Sequence, residues 1–169
     1  HRRGTLLAWL DAAWQRGTEI ECASAAGTLD GSVPPAAALW PECAGLGAPG
    51  ELLLRAPLAD ELDALARALG AEKGKKAQDA AAGLRLALES TAAAARFEAA
   101  LAALFTKGGE PRKQLGSTPL LEPVRDRLLQ VQRMQRQHDA QRDHLRMARL
   151  ARVLLAEFAA LKRQRGLVD

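Results

Sequence analysis

Aromatic residues are scarce in this chain. It has no tyrosine, three tryptophans and three phenylalanines, so that aromatics make up 4% of its 169 residues. Strands favour aromatic and β-branched side chains, whereas Ala, Leu, Arg, Glu and Gln enter helices readily. Ala and Leu supply most of the 48% of residues that are hydrophobic. We therefore expect an all-α helical bundle, and the length is that of one domain able to bury a core.

Cysteine is scarce as well, with Cys22 and Cys43 as the only two. They form neither a CxxC motif nor a zinc spacing, and two thiols are too few for a disulfide framework. We expect reduced, partly buried thiols in a cytoplasmic protein. No apolar run approaches the roughly 20 residues of a membrane span, and no signal peptide is visible. The sequence therefore predicts no membrane partner.

Residues with catalytic or metal-binding spacing are also lacking. The glycine-rich stretch 45–50 is followed by Glu51, where a phosphate-binding P-loop needs Lys and then Ser or Thr. His138 and His144 are six positions apart, so on a helix they point about 240° from one another and not to one metal ion. No nucleophile has a base at a suggestive spacing. We expect no catalytic residue, cofactor or metal in this chain, and hence no enzymatic activity of its own.

Positive charge is concentrated in the C-terminal part. Residues 1–106 contain 10 Lys and Arg against 13 Asp and Glu, whereas residues 107–169 contain 14 against 7. The first part thus carries −3 and the second +7, which together give the net +4 of the chain. A basic stripe of this kind either follows a polyanion such as nucleic acid or is a solvated helix face.

The N-terminal third is punctuated by glycine and proline. Residues 5–15 have an apolar face typical of a helix, which Gly17 is expected to end. Residues 18–50 contain so many glycines and prolines that we expect a loop or insertion, with a short helix near residues 36–40. This segment is either a flexible insertion or an ordered connection held by Trp40.

Stronger helical signals follow. Leu58, Leu62, Leu65 and Leu69 recur at intervals of four and three residues, which predicts an amphipathic helix. Residues 77–89 and 92–105 continue the pattern, and three helices with short turns indicate an antiparallel bundle. Residues 71–76 are a basic connection between the first two of these helices.

Two glycines and a proline interrupt the pattern at residues 106–117, which we expect to be a basic loop. A long C-terminal helix is expected over residues 120–165, since residues 124–165 contain neither glycine nor proline. Its centre, residues 132–144, is polar almost all round. Such a segment bridges solvent, meets another domain or lies along a charged partner.

Three segments carry a family pattern in a fixed order. Residues 69–77 read LGAEKGKKA, residues 105–113 read FTKGGEPRK and residues 158–169 read FAALKRQRGLVD. They are similar to the segments GSKTDQKRA, FLTKDGEPRK and Y..LK..RGLLDFDDL of AddA-type helicase-nucleases, bacterial relatives of UvrD and RecB. The resemblance covers about residues 60–169 and leaves residues 1–50 unmatched. Phe158 replaces the family's usual Tyr, and Gly109 stands where Asp is common.

This resemblance implies the helical accessory subdomain inserted into the first RecA-like domain of a superfamily-1 helicase. In relatives the insertion lies beside the DNA, and the segment like residues 158–169 leads into the strand with the Walker B motif. The parent would be an ATP-dependent helicase using ATP and Mg, with or without a nuclease domain, in double-strand-break repair. Since the chain starts at His1 without methionine, we expect a piece of such a protein. Its expected partners are duplex or forked DNA and the rest of the motor, and a partner nuclease subunit is a further candidate.

Six cations are the candidate DNA contacts of such a subdomain. They lie on the basic connection and the basic loop: Lys73, Lys75, Lys76, Lys107, Arg112 and Lys113. Phosphate contacts position DNA without reading its sequence, so we expect weak, non-specific and salt-dependent binding.

An alternative of another class is a protein-interaction or scaffolding module. In that case the polar helix centre would dock on the motor core or a partner subunit through Arg133, Arg136, Arg142 and Arg146. The absence of a catalytic constellation disfavours a third interpretation, that of a small helical enzyme.

Overall fold

The computed structural model describes Ala8, Asp11, Ala12 and residues 14–164, and its regular secondary structure is helical. The only β pairing there is an isolated antiparallel bridge between Phe105 and Pro111. The α-helices are α1 (Gly17–Ala25), α2 (Thr28–Gly31), α3 (Ala36–Leu39), α4 (Leu58–Ala71), α5 (Lys75–Glu89), α6 (Ala93–Leu104) and α7 (Leu121–Gln164). Two 3₁₀ helices, Pro41–Cys43 and Pro49–Leu54, lie between α3 and α4. The predicted all-α fold with a long C-terminal helix is confirmed.

Two compact units divide the chain. Ala36–His138 form one, called the central unit below, and His1–Pro35 with Asp139–Asp169 form the other, the terminal unit. Helix α7 contributes its first part to the central unit and the remainder to the terminal unit. No helix of the described residues is both long and apolar enough to span a membrane.

The core of the central unit is formed by α4, α5, α6 and the first part of α7. Leu62, Leu65, Leu84, Leu104 and Leu128 are completely buried there. The intervals of four and three residues on α4 place its leucines on one face, which burial against the other helices stabilises. Small residues bring α5 and α6 close together, since a Cβ on Gly83 would lie 3.1 Å from that of Ala103.

Polar contacts hold part of the terminal unit together. Arg152 of α7 donates to Ser24 Oγ at 2.7 Å and to Asp30 Oδ1 at 2.6 Å. His144 Nε2 lies 2.6 Å from the carbonyl oxygen of Leu29, which can only accept, so this nitrogen carries the proton. His144, the last residue of the segment that is polar almost all round in sequence, thus finds a hydrogen-bond partner here.

The glycine- and proline-rich segment is more helical than its composition predicts. We expected Gly17 to end helical structure, but it begins α1, and α2 follows after one short turn. The residues of this segment that take the left-handed conformation are Gly27, with φ 69°, and Gly45, with φ 73°. A glycine ends a helix only where the chain uses that conformation, which the sequence does not reveal. The short helix expected near residues 36–40 is present as α3.

Parts of two predictions lie outside the described residues. Of the helix expected over residues 5–15, only Ala8, Asp11, Ala12, Trp14 and Gln15 are described, all of them helical. The end of the family-like segment, residues 165–169, is not described.

The two cysteines differ in environment. Cys43 packs against Ala36 and Met134 in the central unit and is 5% exposed, whereas Cys22 of α1 is exposed. Burial, and secondly the neighbouring carboxylate of Glu42, raise the pKa of the Cys43 thiol. The thiolate is the reactive form, so both effects and the lack of access slow reactions at this residue.

We therefore expect a maleimide at neutral pH to label Cys22 at least about ten times faster than Cys43 in the folded chain. Mass spectrometry of the peptides after timed quenching measures both rates. In urea the difference in rates should largely vanish. Equal rates in the folded chain would contradict the burial of Cys43.

Candidate nucleic-acid interface

The basic connection forms the start of α5. Helix α5 begins at Lys75, two residues before its predicted start, so that Lys75 and Lys76 are in its first turn. Lys73 lies in the turn just before the helix, and all three lysines are exposed. Gly74 is at the N-cap position of α5 and has no side chain to cap the helix, and the first turn contains no acidic residue. Cations at the positive end of a helix dipole are unfavourable unless an anion is nearby. This end of α5 therefore favours a negatively charged partner.

The basic loop is a tight turn with internal hydrogen bonds. The Thr106 amide donates to the carbonyl of Glu110 at 2.8 Å, and the Gly109 amide to that of Thr106 at 2.9 Å. Gly109 has φ 83°, a conformation that glycine adopts without strain. Lys107 is exposed within this turn.

Arg112 anchors the loop to α6. Its Nε donates to the carbonyls of Ala102 and Phe105, at 3.0 and 2.9 Å, at the C-terminal end of that helix. A cation is favourable there because it opposes the negative end of the helix dipole. Arg112 was predicted only as a phosphate contact, and its structural role cannot be seen in the sequence.

A second arginine supports the loop from α7. Arg125 is buried, with 6% of its surface exposed, and its guanidinium donates to the carbonyl of Arg112 and to Glu122 Oε1. Its Nε is also buried and has no hydrogen-bond partner in the part of the chain that the structure describes. Because a buried charge is costly unless it is hydrogen-bonded, the position of the loop is tied to that of α7.

A side-chain hydrogen bond joins the loop to the start of α5. Lys76 Nζ donates to Gln114 Oε1 at 2.8 Å. Two residues further on, Gly116 has φ 100°, and a Cβ there would lie 2.7 Å from the carboxylate of Glu72. Lys76 and Gln114 are 38 positions apart in sequence, so this bond brings the two basic segments side by side.

Three of the six predicted DNA contacts line one groove of about 1180 Å³: Lys76, Arg112 and Lys113. The buried Arg125 also lines it, and three acidic residues do so as well: Asp79, Glu110 and Glu122. The groove itself is therefore of mixed charge. Lys73, Lys75 and Lys107 do not line it, so the structure groups three of the candidates and leaves three around them.

Carboxylates of the described residues do not neutralise these lysines by ion pairing. Within the described part of the chain, Lys73, Lys75, Lys107 and Lys113 form no ion pair. Their exposed ammonium groups remain available to an anion. Among the same residues no group of three or more His, Cys, Asp or Glu side chains is arranged to hold a metal ion.

The fold and this surface define the class of the protein as an all-α helical protein with a basic surface segment. Searches with protein-family models, among curated proteins and among solved structures found no match.

Proposed function

We propose that this chain is a DNA-contacting accessory subdomain of an ATP-dependent DNA helicase, without catalytic residues of its own. One observation carries the proposal: the basic loop and the basic start of α5 are joined by the bond from Lys76 to Gln114. Together they offer exposed lysines on neighbouring segments, and these lysines form no ion pair with any residue that the structure describes. Such an array suits the closely spaced phosphates of a nucleic-acid backbone.

The local structure around these lysines supports backbone contact without sequence readout. The loop is held by main-chain bonds and by two arginines, Arg112 and Arg125, so its cations are presented on a fixed support. The lysines are point charges on flexible stems, which suits contact with phosphates more than readout of a base edge. We therefore propose duplex or forked DNA of any sequence as the ligand.

The helicase part of the proposal rests on the resemblance of residues 60–169 to the AddA-type family. In this proposal ATP and Mg act in the remainder of a cytoplasmic motor protein, and DNA repair or recombination is the process served. A partner nuclease subunit would belong to the same assembly.

The test is a salt titration of the 169-residue chain with fluorescently labelled duplex and forked DNA, followed by anisotropy. We expect weak binding at low salt, with equal affinity for unrelated sequences. The logarithm of the affinity should fall linearly with the logarithm of the salt concentration, by about 0.9 per phosphate contact. Absence of binding at low salt, or binding that does not respond to salt, would refute the proposal.

The terminal unit supports a second candidate function, docking on a motor core or partner subunit. Trp14, Leu154, Phe158 and Leu161 line an apolar groove of about 450 Å³, and Trp14 and Leu161 are 48% and 43% exposed. Arg142 and Arg146 are already paired with Asp139 and Asp143, so these arginines are less available than predicted. Exposed apolar patches often mark protein interfaces. Binding that needs a protein partner and persists in high salt would favour this second function.

A further inference from the structure

Gln114 has a backbone conformation that its residue type does not favour. Among the described residues it is the only non-glycine with positive φ, at 63°. L-amino acids other than Asn and Asp rarely adopt the left-handed region, because the Cβ crowds the following carbonyl oxygen. Glycine would satisfy the backbone at this position better. The side chain of Gln114 is therefore the feature to be explained.

The side chain of Gln114 holds one lysine in place. Its Oε1 accepts from Lys76 Nζ at 2.8 Å, and both residues line the same groove as Lys113. An ammonium group has three N–H donors, so two remain after this bond. The next residue, Leu115, is buried in the core of the central unit, and it fixes the chain from which Gln114 projects.

An amide is suited to this contact because it carries no charge. A carboxylate in its place would hold Lys76 equally well, but would neutralise the charge that attracts a phosphate. An amide oxygen orients the ammonium and leaves its full charge for an anion. It also removes part of the freedom of the long lysine side chain before a ligand arrives, and that freedom is otherwise lost on binding.

We propose that Gln114 is a positioning residue, which presents the Lys76 ammonium group to a DNA phosphate next to Lys113. This inference rests on the proposed DNA contact, and it names Gln114 as the residue that holds the Lys76 side chain in position for that contact. Glycine at position 114 would relax the backbone but would lack the amide that orients Lys76. Residues with strained backbone conformations are often found at functional sites in proteins.

The test is a double-mutant cycle on the full chain, with Gln114→Gly and Lys76→Met alone and combined, and with a labelled mixed-sequence duplex as the probe. We expect Gln114→Gly to weaken binding roughly 3- to 10-fold at low salt. The slope against salt should stay unchanged, because no cation is lost. Lys76→Met should lower that slope by about 0.9. In the Lys76→Met background, Gln114→Gly should have no further effect.

Urea unfolding separates this role from a purely structural one. A glycine suits φ 63°, so the unfolding midpoint of Gln114→Gly should be unchanged or higher while its affinity falls. A residue that only stabilised the loop would show a lower midpoint together with its lower affinity. The Gln114→Glu variant should keep the midpoint and weaken binding with a reduced salt slope.

The outcomes distinguish this inference from the proposed function. If Gln114→Gly binds as the wild type does, or loses the same factor with and without Lys76, the positioning role is wrong. DNA binding then stands as long as Lys113→Gln still weakens it. If the wild-type chain shows no salt-dependent binding to the duplex, both proposals are overturned.

Discussion

Replacing Lys73, Lys107 and Lys113 together by glutamate should lower the affinity for duplex DNA by about 500-fold or more at about 0.1 M salt. Each phosphate contact contributes a roughly constant term to the salt dependence, so its loss is worth nearly tenfold at this ionic strength. The slope of log affinity against log salt should fall by about 0.9 for every contact removed. A glutamate also repels the phosphate that the lysine attracted, which adds to the loss.

These three lysines suit such a test because the fold does not depend on them. All are exposed, and within the described residues none forms an ion pair. Arg112 is unsuitable, because its guanidinium holds the carbonyls at the end of α6. Unchanged circular dichroism and an unchanged urea midpoint would establish that the triple variant is folded.

A matched control separates a local surface from net charge. The triple variant Arg55→Glu, Arg67→Glu, Arg85→Glu changes three exposed cations of the same central unit, away from the basic loop. Each replacement lowers the charge by two, so both triple variants go from +4 to −2. The control should bind DNA much more tightly than the lysine triple variant. An equal loss in both would mean that only overall charge matters, and the assigned contacts would be wrong.

Replacing Arg96 by methionine should lower the free energy of unfolding by about 3 kcal/mol. The guanidinium of Arg96 donates to three carbonyl oxygens: Leu53 from Nη1 at 2.9 Å, Leu88 from Nη2 at 2.6 Å and Ser90 from Nε at 2.9 Å. It thereby joins the second 3₁₀ helix to the end of α5. Methionine fills similar space but donates nothing, so partly buried carbonyls lose a charged donor.

Urea unfolding of the wild type, Arg96→Met and Arg96→Lys measures this effect. Lysine keeps the charge, but its single ammonium cannot reach three acceptors in the planar arrangement of a guanidinium, so it should recover less than half of the loss. Arg67→Met is the control, since Arg67 is exposed and, among the described residues, forms an ion pair with Asp63 alone; it should change stability by less than about 0.5 kcal/mol. A loss at Arg96 no larger than at Arg67 would show that its three bonds add little.

The helices of the central unit could be predicted from the sequence because their signal is local. Leu58, Leu62, Leu65 and Leu69 repeat with the period of a helix, and the structure buries all four on α4. The long α7 follows from a stretch without glycine or proline, and its observed start at Leu121 is within one residue of the prediction. Gly17 was misread, because whether a glycine ends a helix depends on the conformation the chain adopts there.

The candidate site was only partly predictable. The sequence identifies its lysines because clustered charge is visible in a linear chain. It gave no sign of the roles of Arg96, Arg125 and Gln114. Arg96 lies in an alanine-rich helix and looks like a solvated side chain, although it bonds a carbonyl 43 residues away.

By itself, then, the sequence determines the helical class, the long C-terminal helix and which segments are basic. These properties depend on the intrinsic preferences and spacing of neighbouring residues, which act before any tertiary contact forms. Only the tertiary structure decides that Lys76 meets Gln114, that Arg112 and Arg125 hold the basic loop, and that Cys43 is buried. These contacts join segments of different local structure, and the packing of α4, α5, α6 and the first part of α7 around one core brings those segments together.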